Sequence, residues 1–312
     1  MPDAAVVVVG LTKRFGGTTA VDALSFTVGA GEIFGLVGPD GAGKTTTMRM
    51  LTGVMTPTAG SAMVAGCDVV RDPEAVKHRI SYMPQGFGLY EDLTVDENIR
   101  FYADVFGLGR AAREERAQRL LGASGLTRFR DRLAGQLSGG MKKKLGLSCA
   151  LLHTPRVVFL DEPTTGVDPV SRRDFWRILY ELVAEGVTVL VSTAYLDEAE
   201  RCHRLALLHQ GRLLLCDAPA RLKAAMPGAV VQVGSPRPDA VRDALRGAPG
   251  VSSVLVAGDS VHLVVDDAER RMPELRARLH AVAVPFTDVA PVAPTIEDLF
   301  VASVRASSQG AR

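Results

Sequence analysis

The segment Ile33–Thr47, IFGLVGPDGAGKTTT, constrains this chain more than any other stretch. Ile33–Val37 is a short apolar run that reads as a buried strand. Gly38-Pro39-Asp40-Gly41-Ala42-Gly43-Lys44-Thr45 then fits the pattern glycine, any four residues, glycine, lysine, serine or threonine. Thr46 leads on into a helix through Met48, Leu51 and Thr52. Glycines permit a turn tight enough for successive backbone N–H groups to converge on phosphate oxygens, and the helix that follows aims its positive end at the same anion. In such a loop Lys44 reaches the β- and γ-phosphates of a nucleotide and the Thr45 hydroxyl ligates Mg²⁺. The competing reading is a glycine-rich turn that binds nothing; the strand before it and the helix after it argue for nucleotide binding.

The rest of the composition sets limits on that reading. A chain of 312 residues has room for roughly two domains, and 47% hydrophobic with 23% charged residues is ordinary for a globular protein with a sizeable core. A formal net charge of +1 speaks against nucleic acid or an anionic membrane surface as partner. Cys67, Cys149, Cys202 and Cys216 are far apart and fit no metal-ligand spacing, so they read as reduced, buried thiols of a cytosolic protein. The opening MPDAAVVVVG has no basic residue ahead of an apolar run that is itself too short for a secretory signal. No stretch approaches the ~18 apolar residues needed to span a bilayer. Any role in a membrane process therefore runs through a partner.

Taken in order, VVVVGLTKRF and AVDALSFTV read as paired strands turning at Gly16-Gly17. Phe15 either stacks on a nucleotide base or packs in the core. SAMVAG is a short strand, residues 73–80 a short helix, and ISYMPQ an apolar strand ending at Gln85, whose amide either reaches a metal ion or attacking water or is an ordinary surface group. From Thr94 to Leu121 the pattern is helical, with Thr94 and Glu97 spaced as a capping box; RAAREERAQRLL reads as a solvated amphipathic helix. In LSGGMKKKLGLSCALLHTP, Ser138 is a natural N-cap, Met141, Leu145, Ser148 and Leu152 lie on one helical face, and Pro155 ends the helix. Ser138, Gly139 and Gly140 form a second anion-ready helix start, a weak signal by itself.

RVVFLDEPTTGVDP is a buried strand running into Asp161 and Glu162. Beside a phosphate loop, a carboxylate there is the expected holder of Mg²⁺, and Glu162 is placed to orient or deprotonate water at the carboxyl end of a parallel strand. Residues 171–185 read as a helix, VTVLVSTA as another buried strand, DEAERC as a helix start and LALLHQGRLLL as a hairpin turning at Gly211. Beyond Pro227, VVQVGS, PDAVRDALRG, VSSVLVA, SVHLVVD, AERRMPELRARLHAV and VPFTDV give the order β-α-β-β-α-β of a ferredoxin-like module. With no aromatic pair on its strands it is a poor RNA binder and reads as a small regulatory or dimer-stabilising domain. PTIEDLFVASV is a last short helix, and SSQGAR a disordered tail.

Together, Gly38–Thr45, Gln85, Leu137-Ser138-Gly139-Gly140, Val157–Glu162 and Gly166-Val167-Asp168 resemble the ATP-binding subunit of an ABC transporter, in that family's order and spacing over about residues 4–222. The resemblance is nearest to the drug-export (ABC-2) branch, in which a ferredoxin-like extension and a final segment like Ile296–Phe300, IEDLF, also occur. It implies an α/β P-loop ATPase domain over 1–226, with a parallel core sheet, an antiparallel β subdomain and a helical subdomain at about 92–153. A ferredoxin-like α+β domain over 227–291 and a short helix with a disordered tail over 292–312 would follow. It further implies adenine stacking on Phe15 and ATP phosphates held by Gly38–Thr46. Mg²⁺ would be held by Thr45, Gln85 and Asp161, with Gln85 coupling it to the membrane subunit and Glu162 acting as hydrolytic base. Ser138–Gly140 would contact the γ-phosphate of ATP held by a facing chain. The partners implied are membrane-spanning permease subunits and a second cassette, identical or different, with this chain peripheral on the cytoplasmic face of the membrane.

Three positions depart from the family pattern. Asp40 stands where Asn is usual, at a surface turn, and Met141 replaces a common Gln. Ala194 stands where a His normally touches the γ-phosphate and the attacking water, and alanine has no donor. Two readings follow: an ATPase energising multidrug export, or a nucleotide-binding pseudo-ATPase, the degenerate half of an asymmetric pair. A soluble cassette of translation or DNA repair fits less well, because the insertion between Gln85 and Leu137 is short. GTP in place of ATP is chemically compatible with the phosphate loop, although no Asn-Lys-x-Asp motif is present.

Overall fold

A computed structural model describes residues 4–86 and 88–310. The chain forms two compact units: one built on residues up to Glu198 together with Cys202–Cys216, the other on Ala199–Arg201 and the chain from Asp217 onward. The second unit begins ahead of the expected position 227, because the helix Pro219–Ala224 packs with the C-terminal helix.

In the first unit, β1 (Ala4–Phe15) and β2 (Thr18–Gly29) form the antiparallel hairpin expected about Gly16-Gly17. β3 (Ile33–Val37) is buried at every residue and feeds the phosphate loop, and α1 (Lys44–Leu51) follows it. β4 (Ala59–Val64) and β5 (Cys67–Asp68) return to the hairpin to give a sheet of order β2-β1-β4-β5, antiparallel where β1 meets β2 and β4 and where β4 meets β5. Next come α2 (Pro73–Lys77) and β6 (Ile80–Met83). This strand stops before Gln85, because Pro84 has no N–H to give a ladder, so Gln85 lies in the loop beyond it.

Three helices form the helical subdomain: α3 (Val95–Val105), α4 (Arg110–Ser124) and α5 (Gly139–Ala150). Thr94 and Glu97 make the expected capping box on α3. Helix α5 does not bury a single face. Every residue from Leu145 to Ala150 is buried, since α3, α4, β6 and α6 (Pro169–Ala184) enclose its second half.

The unit closes with β7 (Val157–Asp161), β8 (Thr188–Thr193), α7 (Leu196–Ala199), β9 (Arg204–His209) and β10 (Arg212–Asp217). The second sheet has the order β10-β9-β3-β8-β7-β6, parallel from β9 to β6. Strands buried on both faces need apolar residues at every position, and β3, β7 and β8 are buried throughout. Alternation sends Ile33, Val158, Leu160, Val189 and Val191 into one core with the helical subdomain. Phe34, Leu36, Val157, Phe159 and Leu190 face the other, shared with the antiparallel sheet, where Phe26 and Phe34 stack at 5.3 Å. The carboxyl ends of β3, β7 and β8 thus meet at one edge, where open α/β sheets place their chemistry.

In the second unit, α8 (Pro219–Ala224) precedes β11 (Ala229–Gly234), α9 (Pro238–Leu245), β12 (Val251–Ala257), β13 (Ser260–Val265), α10 (Ala268–Ala281) and β14 (Val289–Val292). The order β12-β13-β11-β14, antiparallel in each pair, is the ferredoxin-like arrangement. Its last strand lies later than the expected VPFTDV. Pro285 offers no N–H, and two bonds, from Thr287 N–H to the Gly234 carbonyl (2.8 Å) and from Ser235 Oγ to the Pro285 carbonyl (2.6 Å), pin residues 285–287 as a loop before Val289 pairs with Val233. The final helix α11 (Ile296–Gly310) runs through most of the expected disordered tail, as no proline interrupts the segment anchored at Ile296 and Leu299; residues 311–312 lie outside the described residues.

Candidate nucleotide site

A cavity of about 470 Å³ opens at the carboxyl edge of the parallel sheet, lined by the loop from Asp40 to Thr46 with Ala20, Gln85 and Glu162. The loop's shape rests on two glycines. A Cβ on Gly38 would lie 2.3 Å from the Leu208 carbonyl oxygen, and Gly43, at φ +98°, would place one 2.6 Å from that of Ala20. Lys44 is only 4% exposed. Its ammonium donates to the carbonyls of Gly38 (2.8 Å) and Pro39 (3.1 Å) and pairs with Glu162 Oε1 at 3.1 Å.

Asp161 ends β7 with its carboxylate buried. Oδ1 accepts from Thr45 Oγ1 (3.1 Å) and Ser192 Oγ (2.6 Å), and Oδ2 from the Tyr82 hydroxyl (3.3 Å). Burial, with the Asp161 charge adding to it, pushes the Tyr82 phenol up to about 12. Glu162 follows with a left-handed backbone (φ +49°), held because its N–H donates to both the carbonyl (3.2 Å) and the hydroxyl (3.0 Å) of Ser192. A non-glycine residue in that region is strained, and the pattern recurs at functional positions. The turn carries the Glu162 side chain into the cavity, where Oε2 accepts from Gln85 Nε2 at 3.1 Å. Gln85 is anchored in turn, its carbonyl accepting from Lys143 Nζ at 2.7 Å. Burial holds Lys143 below the ordinary lysine range, opposed by the charges of Asp161 and Glu162.

Gly38–Thr46, Gln85, Asp161 and Glu162 are therefore brought together. Phe15 is not among the residues lining the cavity; it ends β1, half exposed, with Lys13 Nζ 5.3 Å from its ring centroid. Ser138 caps α5, accepting from Met141 N–H at 3.3 Å, and with Gly139 and Gly140 stands outside the cavity lining. Gly140 is packed so closely on α6 that a Cβ would fall 2.5 Å from Ser171. Ala194 is exposed just past β8, one residue after Thr193, whose carbonyl accepts the Gly38 N–H (3.2 Å).

The profile of the ABC transporter family matches residues 21–165. The chain is 40% identical over 280 residues to the Nod factor export ATP-binding protein I of Paraburkholderia xenovorans (strain LB400), covering 89% of this chain and 91% of that one. This chain belongs to the ABC transporter family of ATP-binding proteins. The cassette is also 45% identical to the probable multidrug ABC transporter ATP-binding protein YbhF of Escherichia coli (strain K12) over 96% of its own length, and spans 52% of that relative. It is 41% identical to the daunorubicin/doxorubicin resistance ATP-binding protein DrrA of Streptomyces peucetius over 74% of this chain and 71% of that one. Among solved structures, an ATP-binding subunit of an ABC transporter superposes with a TM-score of 0.64 at 32% identity, covering 70% of the cassette and 92% of that chain.

Three residues of the site were missed by the sequence reading. Ser192 bridges Asp161 and Glu162, Tyr82 supports Asp161, and Lys143 fixes Gln85. Ser192 left a signal, a hydroxyl inside the otherwise apolar run VTVLV that becomes a fully buried strand. Tyr82 and Lys143 left none, because each works through a partner distant in sequence.

Proposed function

We propose that this cassette binds ATP with Mg²⁺ and hydrolyses it to drive export through separate membrane-spanning subunits. The observation that carries the reading is the convergence of Lys44, Gln85 and Glu162 on one cavity, with the Lys44 ammonium 3.1 Å from Glu162. Incoming phosphates offer Lys44 a stronger set of oxygens, and the loop N–H groups share their charge. Glu162 is then released from its cation, oriented by the Gln85 amide, and able to take the proton of a water attacking the γ-phosphorus. The donor set suits a hard cation: the Thr45 hydroxyl and Asp161 carboxylate meet at 3.1 Å, and Gln85 adds an amide oxygen. Bound there, Mg²⁺ would neutralise charge on the phosphates.

Ser138–Gly140 stand outside their own chain's cavity, which supports a second cassette lending that helix start to the facing ATP. The reading of Ala194 as the mark of a pseudo-ATPase gains no support from relatives named as ATP-binding proteins for export or drug resistance. For the membrane partner, the helical subdomain offers exposed Phe101, Val105 and Phe106, and Phe106 lines a cavity of about 240 Å³ together with Val54, Tyr82, Tyr102 and His153. Among the described residues no helix is long and apolar enough to cross a membrane, which is consistent with attachment at the cytoplasmic face through such subunits, of ABC-2 type in this reading. A regulatory or dimer-stabilising role for the ferredoxin-like unit belongs to the same proposal. Phosphate release by the purified chain, alone and with membrane subunits recovered from native membranes, tests it. No ATP-dependent phosphate release under either condition would overturn the reading.

A further inference from the structure

We propose that Glu198 is a positioning residue for hydrolysis, a buried carboxylate that locks together the segment carrying Glu162 and the segment carrying Ala194. The proposal rests on the ATPase reading above. Glu198 lies on α7 with no exposed surface. A carboxylate taken wholly out of water is costly unless it is paired and hydrogen-bonded, and the bonds it makes are specific. Oε1 accepts from Thr164 Oγ1 at 2.7 Å and Oε2 from Thr193 Oγ1 at 2.8 Å. Both threonines are 1% exposed.

These two hydroxyls come from the turns that follow β7 and β8. Thr164 lies two residues after Glu162, in a turn where Thr165 N–H donates back to the Glu162 carbonyl (3.3 Å). Thr193 immediately precedes Ala194, and its hydroxyl also accepts from Tyr195 N–H at 3.0 Å, so Ala194 is held on both sides. The Thr193 carbonyl meanwhile takes the Gly38 N–H of the phosphate loop. One carboxylate thereby sets the mutual position of these two turns, the second of which borders the phosphate loop through its backbone. The balancing charge comes from Arg172 on α6, whose Nε lies 3.5 Å from Glu198 Oε1 while its guanidinium covers the Tyr195 ring at 4.5 Å. An apolar residue could fill the same volume but would leave both hydroxyl protons unpaired, whereas a carboxylate accepts from both; an amide would turn an N–H donor toward one of them.

The test replaces Glu198 by Gln, which keeps the shape but loses the charge and one acceptor, and by Asp, which keeps the charge. Glu198→Gln should lower kcat on the order of tenfold to a hundredfold, the range seen when a partner that orients a reactive group is removed. Affinity for ATP should change less than about twofold, since Lys44 and the loop are untouched, and Glu198→Asp should recover part of the rate. Ala194→His should raise kcat in the parent chain but not in Glu198→Gln, because the added imidazole is then no longer aimed. Amide hydrogen exchange supplies a readout independent of turnover: residues 162–167 and 193–195 should lose protection together in Glu198→Gln. An inactive parent chain would count against the ATPase reading, while unchanged exchange in both segments, or an unchanged kcat in an active protein, would overturn the role of Glu198. A loss of ATP affinity and melting temperature as large as the loss of rate, in both variants, would make Glu198 a structural residue only and overturn it as well.

Discussion

Lys44 Nζ and Glu162 Oε1 lie 3.1 Å apart, the lysine 4% and the glutamate 12% exposed, so the cation proposed to bind phosphate and the carboxylate proposed as hydrolytic base neutralise each other. The pair gives each group a defined place before nucleotide arrives. Lys44→Ala should raise the Kd for ATP about 10- to 100-fold, matching the ~1.5–3 kcal/mol of a hydrogen bond to a charged group. A binding titration checks this, and an unchanged Kd would remove Lys44 from the phosphate site.

Glu162→Gln keeps the side-chain shape and the contact with Gln85 but cannot accept a proton. ATP binding should persist while hydrolysis is lost, and the ATP-bound protein should accumulate as a dimer on size-exclusion chromatography with Mg²⁺. Hydrolysis at the parent rate would show that another group is the base.

The parts of this site that are local in sequence were legible from it. Ile33–Val37, the loop to Thr45 and the helix to Leu51 follow from apolar period, glycines and a single lysine. The bond from Thr45 to Asp161 spans 116 residues and depends on the parallel order of β3, β8 and β7, which only the folded sheet supplies. Glu198 was invisible for a related reason: DEAERC reads only as a helix start, and nothing local shows that α6 and two turns close over this acid and bury it fully. The late start of β14 came from reading the first apolar run after α10 as the strand, although Pro285 and the pinned Thr287 leave that run without a ladder.

Tyr82 offers a pH test of the Asp161 cluster. Its folded pKa, pushed up to about 12 by burial and by Asp161, stands above the ordinary value of 10.0. A raised pKa means that the neutral phenol is favoured in the fold. The associated stability is fully present below pH 10 and is lost as pH rises through about 12. In an ultraviolet titration of the folded protein, Tyr82→Phe should remove a late-ionising phenol, leaving Tyr102, also raised to about 12 by burial, as another. If the substitution removes a phenol titrating near 10 instead, the burial of Tyr82 beside Asp161 is not maintained in solution.

In the proposed mechanism Ala194 limits how fast the cassette turns over by itself. It is exposed at the end of β8, joined through Thr193 to both the phosphate loop and Glu198, so the position is held at the site although the methyl group can donate nothing. In a pair of identical cassettes both sites would share that lack. Removing one positioned donor from a transition-state site typically costs ~10²–10³-fold in rate, so hydrolysis by the protein alone should be slow. Ala194→His should raise the rate at least several-fold without tightening ATP binding much, because a donor aimed at the transferring phosphoryl group acts mainly in the transition state. The measurement is kcat and ATP affinity for both proteins at one Mg²⁺ concentration. Fast hydrolysis by the parent chain, with no gain from the substitution, would mean that another group already supplies the missing donor.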